Sequence, residues 1–300
     1  MSEAGVRAAS LKVVLDRLYM EYDRPASARD PVQIVRRFTD SRDQEIAAFV
    51  SASLAFGRVE GILGTLERLM ACIGSSPAAF VRRFDPARHG AAIRRLGHRW
   101  IRGSDIVALL WILRCMLDEA GSIEAWFVAG DDPAATDVGP ALESFSSRAR
   151  VIDVGAVYGS GASSRGVDYF FPKPSAGSAC KRLNLFLRWM VRRDGIDLGV
   201  WSRVSASRLV VPLDTHLIRL GRSLGLTRYA SPGWRMAAEI TASLREMDPD
   251  DPVRYDFALC HLGMSACVSC QSPAPGCPLA LFCAPQGSRP RGSRRPSDRR

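Results

Sequence analysis

Lysine is nearly missing from this chain. Of its 41 basic residues only Lys12, Lys173 and Lys181 are lysine, and the rest are arginine. A guanidinium stays protonated and cannot act as a nucleophile, so any amine chemistry is left to very few side chains. Long apolar runs are missing too. No stretch of about 18 uncharged apolar residues occurs, and no membrane span is predicted. Asp16, Glu21 and Asp23 interrupt the apolar pattern near the start, which does not fit a secretory signal. The chain is expected to be cytoplasmic, with no membrane association and no protein partner indicated. Period-two alternation is also absent, which argues against a sheet.

What is present is enough apolar sequence for a substantial core: 300 residues, 47% of them hydrophobic. The net charge of +10 favours a polyanionic partner, but half of it is local. Arg289 to Arg300 holds six arginines and one aspartate among Pro, Gly and Ser. Residues 286–300 therefore read as a disordered basic tail attached to a mildly basic body.

The rest reads as helix. Leu11 to Tyr22 has apolar residues at helical spacing, and Ser41-Arg42-Asp43-Gln44 resembles a capping box before the run Ile46 to Leu54. Gly57 breaks that pattern ahead of a second helix to about Ile73. Ser76-Pro77 and Ser104-Asp105 read as further helix starts, the latter opening the apolar run Ile106 to Leu117. Residues 131–139 and 155–166 read as loops. The fold class predicted is all-α.

Two helix starts carry the chemistry. Pro172-Lys173-Pro174-Ser175-Ala176-Gly177-Ser178-Ala179-Cys180 leads through a turn into Lys181 and an amphipathic run. At about 100° per residue, Leu183, Phe186, Leu187, Met190 and Val191 share one face. Lys181, Asn184, Arg188 and Arg192 share the other, which reads either as a solvated surface or as the wall of a basic cleft. Gly177 and the free N–H groups of the turn could then meet a phosphate. Val211-Pro212-Leu213-Asp214-Thr215-His216 opens the second helix, with Asp214 placed to cap it and to be held ionised by its N–H groups.

Asp214-Thr215-His216 with Arg219 and Leu224-Gly225-Leu226 resembles the signature of helix-hairpin-helix base-excision DNA glycosylases of the endonuclease III type. The resemblance implies two helical lobes around a cleft, a nucleophilic hairpin lysine matched by Lys181, and an assisting aspartate matched by Asp214. Their separation, 214 − 181 = 33, looks more like the archaeal 8-oxoguanine glycosylase branch. Gly177, Ser178, Arg182, Arg188, Arg192 and His216 would contact DNA. Ser51-Ala52-Ser53 followed by Phe56-Gly57-Arg58-Val59 resembles the wedge loop of endonuclease III, so Phe56 and Arg58 would fill the gap left by an extruded base or hold a phosphate. The lobes expected are 1–40 with 198–285, and 41–197. The same phrases, from Ser178 to Arg192 and around Asp214, resemble an uncharacterised bacterial family over most of the chain.

Cys260, Cys267, Cys270, Cys277 and Cys283 fall close together, whereas Cys72, Cys115 and Cys180 are scattered. In a cytosolic chain such a cluster points to metal binding rather than disulfides. Either Cys260, Cys267 and Cys270 with Cys277, or Cys267, Cys270, Cys277 and Cys283, could supply four thiolates. The resemblance to endonuclease III implies a [4Fe–4S] cluster, with zinc as the alternative. The function expected is a DNA repair glycosylase and abasic-site lyase working on a damaged base, with oxidised purines among the candidates, in double-stranded DNA. The alternative is a non-catalytic DNA- or RNA-binding protein with a structural metal site.

Overall fold

The computed structural model describes residues 3–24, 30–159, 165–265 and 276–283. The basic tail, Cys267 and Cys270 lie outside the described residues. Within them the chain is predominantly helical, with one two-stranded antiparallel sheet pairing Gly97–His98 with Ile101–Arg102. No described helix is long and apolar enough to cross a membrane.

The helix Ser41–Ser53 lies at the centre of one group of helices. Asp40 caps it by accepting the Arg42 N–H at 2.8 Å, one residue earlier than the predicted box. Every residue from Glu45 to Ser53 is buried, because small and apolar residues surround the helix on all sides. It packs against Val32–Val35, Pro77–Arg82 and Lys181–Val191. Phe49 meets Phe186 edge-on, with ring centroids 4.9 Å apart, a favourable geometry for aromatic pairs. Glu45 is a buried charge in this core. It accepts N–H groups from Ile123 and Glu124 at the start of helix Ile123–Val128, and the Trp201 indole N–H at 2.8 Å. Burial raises its pKa, and these three donors oppose the rise.

A second group joins Glu3–Tyr22 to Asp256–Ser265, and that helix to Thr215–Ser223. The Tyr255 hydroxyl donates to Asp16 at 2.6 Å, fastening the first helix to the last. Asp256–Ser265 and Thr215–Ser223 are in close approach at Gly263, where an added Cβ would lie 2.8 Å from the Cβ of His216. A side chain there would push apart the two helices that frame the candidate site.

Two expectations are corrected. Residues 155–166 are not all loop: Gly155–Tyr158 and Arg165–Phe170 are helical, with 160–164 outside the described residues. The cause is Asp105, which accepts the Tyr158 hydroxyl at 2.7 Å and lies so near Gly166 that a Cβ there would be 2.5 Å from its carboxyl carbon.

The second correction concerns the polar stripe of helix Lys181–Val191, which beyond Lys181 is not a solvated face. Asn184, Arg188 and Arg192 are buried. Arg188 pairs with Asp197 and Asp256, and Arg192 with Asp194, Asp197 and Asp251. Burial works against the charge on Arg192, but Asp197, Asp251 and Asp194 outweigh it and hold the guanidinium above its ordinary value. Neither arginine is exposed to meet a DNA phosphate. The network joins the two helical groups.

Candidate functional site

One cavity of about 450 Å³ lies where five chain segments converge, within the size range of small-molecule sites. Its walls include Lys181 and Leu185 from one helix, Asp214 and His216 from a second, Cys260 and His261 from a third, and the stretches around Asp30 and Phe56. Lys181 and Asp214, the two residues singled out from sequence, therefore share a cavity.

Each sits at a helix start for a local reason. Lys181 follows the turn of Pro174–Ala176, where Gly177 adopts a left-handed conformation (φ 80°), and Cys180, also left-handed (φ 49°), turns the chain into the helix. Asp214 caps Thr215–Ser223 by accepting the Leu217 N–H at 2.7 Å. Its other oxygen accepts the Cys260 thiol at 2.8 Å. The carboxylate is thereby fixed in orientation.

The three lysines differ in their partners. Lys12 pairs with Asp16 at 2.7 Å and Lys173 with Glu143 at 3.0 Å. The Lys181 ammonium has no hydrogen-bond or ion-pair partner among the described residues, although its charge is felt at Cys260. The His216 Nδ1 is likewise buried with no partner among the described residues.

Cys260 was expected as a metal ligand in one of the two sets of four and as no ligand in the other. Burial first, then Asp214 and Asp256, push its thiol well above the ordinary value, so the proton stays on sulfur and is donated to Asp214. At pH 8, iodoacetamide should label Cys260 more slowly than Cys72, on the order of tenfold or more, as peptide mass spectrometry would read. Cys277 is buried and Cys283 half-buried. Among the described residues no group of three or more His, Cys, Asp or Glu is arranged to hold a metal ion.

The remaining predicted residues divide. Gly177 is exposed and Ser178 half-buried on the turn, where the Ser178 hydroxyl accepts the Cys180 N–H at 3.1 Å. Arg182 is not free for DNA: its guanidinium lies 3.4 Å above the Tyr169 ring and donates to the Tyr169 carbonyl. Burial lowers its pKa to about 10. Arg58 is exposed.

Phe56 lines the cavity but is no free wedge. Its ring packs edge-on against His98 and Tyr169, with centroids 4.6 and 5.1 Å away, and its carbonyl lies 2.7 Å from His98 Nε2. These contacts fasten the Phe56 loop to the Gly97–Arg102 hairpin. At the hairpin tip Arg99 has φ 58°, and Trp100 is 48% exposed against Tyr169. Sequence reading missed Trp100, because a two-residue strand on either side leaves almost no alternating pattern.

No curated protein matches the chain, and no solved structure matches it. Residues 30–265 match the family model described as protein of unknown function (DUF2400), and the chain belongs to that family.

Proposed function

We propose that the protein is a DNA glycosylase with abasic-site lyase chemistry, acting on a damaged base extruded from double-stranded DNA. The observation that carries this reading is the unpaired amine of Lys181 in a cavity it shares with the fixed carboxylate of Asp214. In its neutral form the Lys181 Nζ attacks the sugar C1′. The Nζ–C1′ bond forms, the C1′–base bond breaks, and the base leaves with the bonding pair and takes up a proton. The nitrogen then loses a proton, its lone pair expels O4′ from C1′ with the bonding pair, and O4′ takes up that proton, which gives a protonated Schiff base. Asp214 stabilises the positive charge that develops at the sugar, or relays the amine proton. Its hydrogen bonds from Leu217 and Cys260 hold it ready without reorganisation.

The surroundings support the same reading. Arg165–Phe170, the turn through Gly177 and the helix Lys181–Val191 follow one another as a helix-hairpin-helix would. The exposed backbone at Gly177 would meet a phosphate, as would Arg58. The wedge filling the gap in the duplex is assigned to Trp100 instead of Phe56. Base–aromatic stacking is worth about 1–3 kcal/mol, so Trp100→Ala should weaken binding to a lesion duplex by roughly tenfold or more, read by fluorescence anisotropy. Because Cys260 is engaged with Asp214, the metal reading narrows to Cys267, Cys270, Cys277 and Cys283. A [4Fe–4S] cluster or zinc ion held there would fasten the C-terminal segment.

The test is borohydride trapping of the protein on duplexes carrying oxidised purines, other damaged bases or a bare abasic site. A covalent adduct with at least one duplex is expected. No adduct with any of them, the abasic site included, overturns the proposal.

A further inference from the structure

Arg188, a residue of the cavity wall, carries a buried group that the chemistry at Lys181 does not use. It lies about two turns beyond Lys181 on the same helix face, with Leu185 between them, and all three line the cavity. Arg188 is 3% exposed. Its Nε donates to Asp197 at 3.2 Å and its Nη1 to Asp256. Its Nη2 is buried and has no partner among the described residues. A guanidinium held charged is only ever a donor, and a buried N–H without an acceptor is costly. The two aspartates fix the plane of the group, so the directions of the Nη2 N–H groups are set in advance.

Asp30 lines the same cavity and acts electrostatically on both Arg188 and His261. One of its oxygens accepts the Val32 N–H at 2.9 Å, which orients the carboxylate. A fixed donor and a fixed acceptor thus border one space. Phe257 and His261, with ring centroids 3.9 Å apart, supply an aromatic wall beside it.

We infer that Arg188 and Asp30 together select bases whose pairing edge is a lactam, a carbonyl beside an N–H. Six-oxopurines and dioxopyrimidines have that edge. The Arg188 Nη2 donates to the carbonyl and Asp30 accepts from the ring N–H. Adenine-type bases present the reverse order, an amino group beside a bare ring nitrogen, and would set a donor against a donor. In a duplex this edge is occupied by the partner base, so only an extruded base can offer it. The inference rests on the glycosylase reading, but it concerns recognition and not the bond broken.

The experiment measures binding with duplexes carrying one 2′-fluoro nucleotide, which resists glycosidic cleavage. Hypoxanthine is compared with adenine, and 8-oxoguanine with 8-oxoadenine. The lactam member of each pair should bind at least about tenfold more tightly, the discrimination expected of a good two-point contact. Equal or reversed affinities overturn the inference. Arg188→Lys, which keeps the positive charge but lacks the planar fork that fixes the Nη2 direction, should bring each pair to within about twofold. Full discrimination by a folded Arg188→Lys protein also overturns it. Should that variant fail to fold, Asp30→Ala, outside the ion-pair network, is measured for the same loss of discrimination, and its retention of full discrimination counts against the inference. Borohydride trapping on an abasic duplex, which has no base, runs alongside. Trapping without lactam preference removes this inference alone, and lactam preference without trapping removes the enzyme reading alone.

Discussion

A Lys181→Arg protein is expected to bind lesion duplexes within about twofold of the wild type and yet to give no borohydride-trapped adduct, a loss on the order of a thousandfold or more. Arginine preserves the positive charge at the start of the helix, and with it any attraction to a phosphate. It removes the amine, because a guanidinium does not give up its proton to become a nucleophile. A charge-for-charge substitution therefore separates the two roles open to this residue. If Lys181 serves only as a phosphate contact in a non-catalytic binding protein, neither protein traps DNA and the two bind alike. If the arginine protein traps as well as the wild type, the nucleophile lies elsewhere. The other two lysines are poor substitutes, since Lys12 is paired with Asp16 and Lys173 with Glu143. Lys181→Ala as a companion should lose both the adduct and part of the affinity.

The residues that proved legible in the sequence are those whose role is local. Asp214 could be placed at a helix start because capping depends on the next three residues, and its carboxylate does accept the Leu217 N–H. Lys181 could be singled out by scarcity, and the all-α class by helical periodicity. The resemblance brought those two residues together before any fold was known. What could not be read depends on partners far along the chain. Arg188 and Arg192 have the spacing of a solvated stripe, and the aspartates that bury them lie at 194, 197, 251 and 256. The hydrogen bond of Cys260 to Asp214, 46 residues earlier, could not be read from the cysteine spacing. Phe56 was read as a free loop residue, when the hairpin that covers it begins at Gly97.

Arg192→Met should destabilise the protein by about 3–5 kcal/mol at neutral pH, measured by urea denaturation, because breaking a buried ion pair leaves uncompensated charge behind. Methionine fills much of the same space, so the loss reports electrostatics more than packing. The carboxylates of Asp194 and Asp197 are nearly inaccessible to water, and with Asp251 they would lose the guanidinium that now faces all three. Burial pushes Asp197 up to about 6 even with Arg188 and Arg192 pulling the other way. Without Arg192 the folded-state pKa of this carboxyl moves further above its unfolded value. The folded variant then binds protons more readily than the unfolded chain, so its deficit against the wild type should narrow as pH falls from about 7 towards 5. A deficit that is constant across that range would mean the loss is one of packing. The exposed pair Arg42–Asp40 is the control, since Arg42→Met there should leave stability close to that of the wild type at either pH. Arg192 and Arg188 also tie the helix that begins at Lys181 to Asp251 and to Asp256, the latter opening the helix that carries Cys260. Loss of the network should therefore lower abasic-site trapping by the folded fraction, because the amine and the carboxylate held by Cys260 are positioned by the helices it joins.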